Sequence, residues 1–171
     1  MRSLDEMSTK ETVALLNKCW MTHDGMWFFH CLNTFGIEAT NKLNKEAIRS
    51  LSSVEINRLK QVLGINGPLD RCDDFLTFFK EASTVMIPDF MQVRFGYPGG
   101  NILTWAFPQG ECFAYKGVKR LGVIDRYECG VLYRIKCWLD ELGIAHRFNP
   151  ECGLCLMHHH GSCAGEIRLF V

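Results

Sequence analysis

A segment near the end of the chain holds the densest group of metal-ligating residue types. It reads ECGLCLMHHHGSC over 151–163 and contains Cys152 and Cys155 in a C-x-x-C spacing, three consecutive histidines and Cys163. Two thiolates at this spacing on a tight turn can point at one ion, and Cys163 with a histidine such as His158 can complete a tetrahedral set. The segment therefore predicts a cysteine-ligated metal site, with a redox pair or a thiol-rich loop as alternatives.

Two upstream cysteines are candidate partners for this segment. Cys112 begins a predicted short helix and Cys129 lies in the first turns of the next. A helix N-terminus stabilises a thiolate, which favours ligation, although a buried thiol can also act as a small apolar residue. Zinc is the expected metal. An iron–sulfur cluster is the alternative, because Cys112, Cys129, Cys152, Cys155 and Cys163 exceed the four ligands that a cluster needs.

A second group of candidate residues lies in CWMTHDGMWFFHC, residues 19–31. On a helix, Trp20, His23 and Trp27 share one face, and His30 follows one heptad after His23. Such an aromatic stripe is typical of a small-molecule pocket, with His23 as its polar group, or of an aromatic core. Asp24 and Gly25 are poor helix formers, which favours the pocket at His23. A homodimer through this face is left open.

The composition narrows the classes of function. The chain is 47% hydrophobic and 22% charged with a formal net charge of zero, so no basic patch for nucleic acid is indicated. No apolar run approaches the ~20 residues of a membrane span. The N-terminus lacks the apolar region of a signal peptide, so we expect a cytoplasmic protein without membrane contact. In that compartment nine cysteines favour ligands over disulfides.

The helices and strands that position these residues can be predicted from the spacing of apolar residues and from the residue types that begin and end helices and turns. We expect a helix from an N-cap at Thr9 to a C-terminal Gly36, a second over 38–63 and a third over 69–86. A hairpin follows over 89–107, then a short helix, and then a helix over 126–142 capped by Asp125.

Two last strands are predicted over 144–151 and 165–171. The expected fold class is α+β, in which N-terminal helices pack on an antiparallel sheet of about four strands and a helix lies between two hairpins. We expect a single domain over 1–171, helical over 9–86 and cysteine-rich over 87–171.

The chain resembles an uncharacterised family of prokaryotic proteins with a W-x-x-H-D-G-x-W-F signature. The matching residues are Trp20, His23, Asp24, Gly25, Trp27, Phe28, Phe35, Gly36, Leu43, Asn44, Glu55, Cys112, Gly122, Cys129, Cys152, Cys155 and Cys163. This family is similar to the aminothiazoline-carboxylate hydrolase-like proteins, and more distantly to vinyl-reductase-like small-molecule-binding domains.

The resemblance implies a small-molecule-binding protein with a metal site, whose ligand-binding residues include Trp20, Trp27, His30 and Asn44. It also implies an alternative, a metal- or histidine-dependent hydrolase of a small cyclic amide or thiazoline-like substrate. In that alternative His23 is the general base or a metal ligand, and Asp24 or Glu55 orients it.

Overall fold

The computed structural model describes residues 3–170. Its helices are α1 Thr9–Val62, α2 Cys72–Met86, α3 Phe113–Arg120, α4 Gly130–Glu141 and α5 Leu156–His159, and its strands are β1 Arg94–Gly99, β2 Ile102–Phe107, β3 Ala145–Asn149 and β4 Cys163–Phe170. Single 3₁₀ turns cover Leu4–Glu6, Asp89–Met91 and Ile124–Arg126. The structure is 61% helical and 16% strand, which confirms the predicted α+β class with helix predominating.

Helix α1 consists of two arms that meet at Gly36. Gly36 has φ 78° and ψ 174°, which is not helical and is a region that only glycine enters readily. The N-terminal arm, residues 9–35, and the C-terminal arm, residues 37–62, correspond to the first two predicted helices. The cap differs from the prediction: Ser8, not Thr9, is the N-cap, because it forms a capping box with Glu11.

The four strands form one antiparallel sheet in the order β1-β2-β4-β3. Strand β2 is central and its alternate residues Leu103, Trp105 and Phe107 are buried in the main core. Strand β4 begins at Cys163, opposite Phe107 of β2. This pairing brings the start of β4 beside the loop that leads from β2 to α3.

Two helix starts differ from the sequence prediction, and one short helix was not predicted. Helix α4 begins at Gly130 instead of Arg126, since Glu128 forms a β-bridge with Leu154 and holds the chain extended before Cys129. Helix α2 begins at Cys72 instead of Leu69. A one-turn helix that was not predicted, α5, begins directly after Cys155.

The C-terminal arm of α1 packs along α4, and this helix pair contributes Glu55 and Ile56 from α1 and Trp138 from α4 to the buried interior. Both arms also leave large apolar side chains exposed, among them Leu16, Trp27 and Phe35 of the N-terminal arm. Within residues 3–170, none of the helices combines the length and apolar character that spanning a membrane requires.

Candidate functional site

Cysteines from separate segments meet at the end of the sheet where β2 stops and β4 starts. We call this group the cysteine cluster; its members are Cys112, Cys129, Cys152, Cys155 and Cys163. Three of them directly precede helices, at the N-caps of α3, α4 and α5, one lies in the turn after β3, and one opens β4. All nine cysteines of the chain are free thiols, so no disulfide holds the cluster together.

The thiols of the cluster lie close to one another and away from bulk water. Burial raises the pKa of Cys152 and that of Cys163 to about 11, and it raises the pKa of Cys129 well above its usual value. The neighbouring thiols raise these values further: Cys112 and Cys152 act on the pKa of Cys129, and both also act on that of Cys163. The site therefore opposes the presence of several thiolates unless a cation accompanies them.

Peptide N–H groups favour the thiolate at three of the sulfurs and so partly offset the effect of burial on the pKa. Those of Ala114 and Tyr115 lower the pKa of Cys112, and that of Leu132 lowers the pKa of Cys129. The N–H groups of Met157 and His158 act in the same direction on Cys155. None of these three thiols accepts a capping hydrogen bond from its helix, so the N–H groups lie near the sulfurs without being bonded to them.

The indole of Trp105 lies beside the cluster. Trp105 is 1% exposed, and its Nε1 is the one buried side-chain N or O atom in the described part of the chain that lacks a hydrogen-bond partner. It nevertheless lowers the pKa of Cys163 as a neighbouring donor. An unpaired buried donor costs about 1–3 kcal/mol, so this N–H calls for an acceptor stronger than a thiol.

The stretch before Cys129 is fixed by side chains that sequence reasoning missed. Asn41 Nδ2 on the C-terminal arm of α1 donates to the Arg126 carbonyl at 2.8 Å, and its Oδ1 accepts from the Glu128 N–H at 3.2 Å. The Cys129 N–H donates to the Gly153 carbonyl at 2.8 Å. These bonds tie α1, the start of α4 and the C-x-x-C turn into one unit.

The structure thus brings together the five predicted cysteine ligands, but not the predicted histidine. His158 is exposed, and its ring packs edge-on against His159. Among residues 3–170, no three or more His, Cys, Asp or Glu side chains are arranged as the ligands of one ion. The cluster is therefore a group of neighbouring protonated thiols and not a preformed coordination shell.

Part of the second predicted site converges on Arg134 of α4. Its guanidinium lies over the Trp20 ring at 4.6 Å and pairs with the buried carboxylate of Glu55. The same carboxylate accepts from Trp138 Nε1 at 2.7 Å. Arg134 also lowers the pKa of Asp24, although burial outweighs it and leaves that pKa raised. The i, i+4 spacing of Arg134 and Trp138 is the sequence signal that could have placed both on the face toward α1.

The other predicted residues do not join this group. His23, Trp27 and His30 are exposed on the N-terminal arm, with Trp27 63% exposed. Asn44 packs against the start of α4, where its Nδ2 would lie 2.8 Å from a Cβ added to Gly130. An open groove of about 310 Å³ lies further along α1 and is lined by charged residues of both signs, among them Lys45, Arg49 and Glu128.

One comparison with known proteins finds a match, and that match lies in the N-terminal helical part of the chain. Residues 4–83 match the model of a family of unknown function, DUF6125. No curated protein and no solved structure matches the chain. The match includes both arms of α1 and most of α2 and ends before the first member of the cysteine cluster. Over just under half of its length, the chain is therefore similar to the DUF6125 family, which fits the expected resemblance to an uncharacterised family.

Proposed function

We propose that this protein binds a metal centre through its cysteine cluster. The observation that carries the proposal is the meeting of five buried or half-buried free thiols from separate segments of the chain. A soft cation would replace the thiol protons and neutralise thiolates that burial otherwise makes costly. Side-chain rotations toward a shared ion would be needed to turn these neighbouring thiols into ligands.

Cys112, Cys129, Cys155 and Cys163 are the proposed ligands. Cys112 and Cys163 raise the pKa of Cys129, and Cys155 raises the pKa values of Cys112 and Cys163. Cys152 also raises the pKa of Cys129, and burial raises its own pKa, but Lys45 and Lys136 lie beside it and lower that pKa. This fifth cysteine can replace or supplement one of the four ligands.

Zinc is the expected metal, and an iron–sulfur cluster is the alternative. A zinc ion with four thiolates would be structural, because it leaves no coordination position for a substrate. An iron–sulfur cluster would use the same ligand type and would give the protein a redox function.

Metal analysis of protein purified without oxygen tests the proposal. We expect about one metal centre per chain in the wild type, loss of it in Cys112→Ser and Cys163→Ser, and full retention in the control Cys72→Ser on α2. Visible absorption distinguishes a coloured iron–sulfur cluster from colourless zinc. Wild-type protein that is isolated without metal and takes up neither Zn²⁺ nor Fe²⁺ with sulfide would refute the proposal.

Small-molecule binding near Trp20 is a second proposal. The observation that favours it is the Arg134 guanidinium stacked on Trp20 and close enough to Asp24 to lower the pKa of that carboxyl. Because Glu55 already pairs with Arg134, the indole beside the Asp24 carboxyl suits a flat cationic ligand. Titration with benzamidine should quench tryptophan fluorescence in the wild type and not in Trp20→Leu, and equal responses of the two proteins would rule this site out.

The hydrolase alternative receives less support from the geometry. It requires Asp24 or Glu55 to orient His23, whereas Glu55 is engaged by Arg134 and Trp138 and His23 is exposed. The similarity to aminothiazoline-carboxylate hydrolase-like proteins therefore stays a prediction. A homodimer also stays a prediction, and sedimentation of the wild type against Trp27→Asp on the exposed face of the N-terminal arm would test it.

A further inference from the structure

The position of Trp105 in the sheet places its indole within reach of Cys163. Strands β2 and β4 pair Trp105 with Gly165 and Phe107 with Cys163. Cys163 and Gly165 are two residues apart on one strand and point to the same face, so Cys163 is the diagonal neighbour of Trp105. Diagonal neighbours across a sheet are within reach of a large aromatic side chain.

Gly165 provides the space that this ring position needs. A Cβ built on Gly165 would lie 2.5 Å from Trp105 Cη2 and 2.7 Å from Cζ2, which is closer than a Cβ and a non-bonded carbon approach in proteins. The outer edge of the indole therefore lies against the backbone of β4 at Gly165, and Phe148 of β3 packs against it with ring centroids 5.8 Å apart and ring planes tilted by 52°. These two contacts hold the indole in one orientation.

This fixed orientation leaves the indole N–H without a hydrogen-bond partner. Nε1 makes no hydrogen bond, although Trp105 is almost completely buried and Cys163 is its neighbour. A neutral thiol is a weak acceptor, whereas a thiolate is a strong one. The missing bond is therefore the one that a thiolate at Cys163 would accept.

We propose that the Trp105 indole N–H donates a hydrogen bond to the metal-bound thiolate of Cys163. This inference rests on the proposed metal site and adds a residue that positions and tunes one of its ligands. Hydrogen bonds to ligand sulfurs from outside the coordination shell influence both metal affinity and electronic properties. Trp105 is a positioning residue and not a ligand, because an indole offers only a donor.

Nuclear magnetic resonance of the wild-type protein tests the hydrogen bond directly. The chain has four tryptophans, so a ¹⁵N-labelled sample gives four indole signals, and that of Trp105 is assigned by its loss in Trp105→Phe. Addition of ¹¹³Cd²⁺ to metal-free protein should move the Trp105 signal downfield and slow its exchange with water. A scalar coupling between ¹¹³Cd and the indole proton would establish the N–H···S–Cd connection. The signal of the exposed Trp27 should not move.

Two matched variants separate the hydrogen bond from the packing of the ring. Trp105→Phe removes the N–H but keeps an aromatic ring, and we expect it to weaken Cd²⁺ binding by about tenfold, the lower end for loss of an outer partner of a ligand. Trp138→Phe also removes a buried indole, one that donates to Glu55. It should leave Cd²⁺ affinity unchanged.

The outcomes distinguish this inference from the proposed function. If the wild type binds no Cd²⁺, the metal site itself is wrong. If Cd²⁺ binds and the Trp105 signal neither moves nor couples, the hydrogen bond is wrong while the metal site stands. Equal losses of affinity in Trp105→Phe and Trp138→Phe would assign the effect to packing and would also overturn the inference.

Discussion

Glu55 is the one charged side chain among residues 3–170 that is buried, with 7% exposure. It is compensated from α4 by Arg134 and by the Trp138 N–H. Removing one member of a buried ion pair leaves the other charge without compensation, whereas an exposed pair contributes little. The charge of Glu55 therefore joins α1 to α4 through a buried ion pair and a buried hydrogen bond.

We predict that Glu55→Gln lowers the free energy of unfolding by about 3 kcal/mol, because Arg134 loses its counter-charge in a site with little water. Urea denaturation measures the change. The control is Glu46→Gln, whose pair with Lys42 is exposed on both sides and should change stability by less than about 0.5 kcal/mol. Equal effects of the two variants would contradict the importance of burial.

The close contact between Gly165 and Trp105 leads to a second prediction about a single residue. Gly165→Ala should lower the free energy of unfolding by about 2 kcal/mol, because the new methyl overlaps the indole and the Asn149 carbonyl oxygen. Gly117→Ala in α3 meets no atom within 4 Å and should stabilise the protein by about 0.5–1 kcal/mol. Thermal denaturation compares them, and a neutral Gly165→Ala would refute the close packing.

The raised thiol pKa values predict a pH dependence for the metal-free protein. Cys152 and Cys163 titrate near 9.0 when unfolded and at about 11 when folded. As the pH rises through this interval the unfolded chain loses these protons first, so stability that is complete below pH 9 declines toward pH 11. Urea unfolding between pH 8 and 10.5 should show a smaller decline in Cys163→Ser than in the control Cys19→Ser. The same slope in both would contradict the assignment.

At the scale of elements, the break at Gly36 determines how the arms of α1 are arranged. We predict that Gly36→Ala destabilises the protein by about 1–3 kcal/mol, because φ 78° with ψ 174° is strained for a residue with a Cβ. Gly25→Ala, inside the N-terminal arm with no atom within 4 Å of the new methyl, should stabilise it by about 0.5–1 kcal/mol. Differential scanning calorimetry should show that the melting temperatures of the two variants move in opposite directions. If both melting temperatures rise, the backbone at Gly36 is not strained by a Cβ.

Local signals in the sequence predicted most of these elements. Gly36 ended the first helix as expected, and the glycine-rich turn after β1 marked the first hairpin. The start of α4 could not be predicted, because Asp125 is a good N-cap residue but the Glu128–Leu154 bridge, a tertiary contact, keeps the chain extended to Cys129. One turn of helix, as in α5, is too short for periodicity to reveal.

At the scale of the whole molecule, the two candidate sites differ in how far the sequence could locate them. The grouping of the cysteines was foreseeable, since Cys152, Cys155 and Cys163 lie in one short segment and antiparallel strands flank it. The roles of Asn41 and Trp105 were not, because they depend on contacts between residues far apart in the chain. The aromatic stripe of the N-terminal arm suggested a pocket, yet tertiary packing leaves Trp27 exposed and draws Trp20 onto Arg134.

The proposed centre would connect the start of β4 with the starts of α3, α4 and α5, so its loss should have a regional effect. Metal binding to folded ligands contributes to the free energy of folding of the segments that carry them. We predict that chelation speeds amide hydrogen exchange in residues 107–113, 127–132 and 152–165 and lowers the melting temperature. The N-terminal arm of α1 carries no ligand and should exchange at its original rate. Exchange measured by mass spectrometry before and after chelation tests this, with Cys112→Ser as the protein that should not respond. A uniform increase along the chain would mean that the metal stabilises the fold globally, and no change would mean that the cluster holds none.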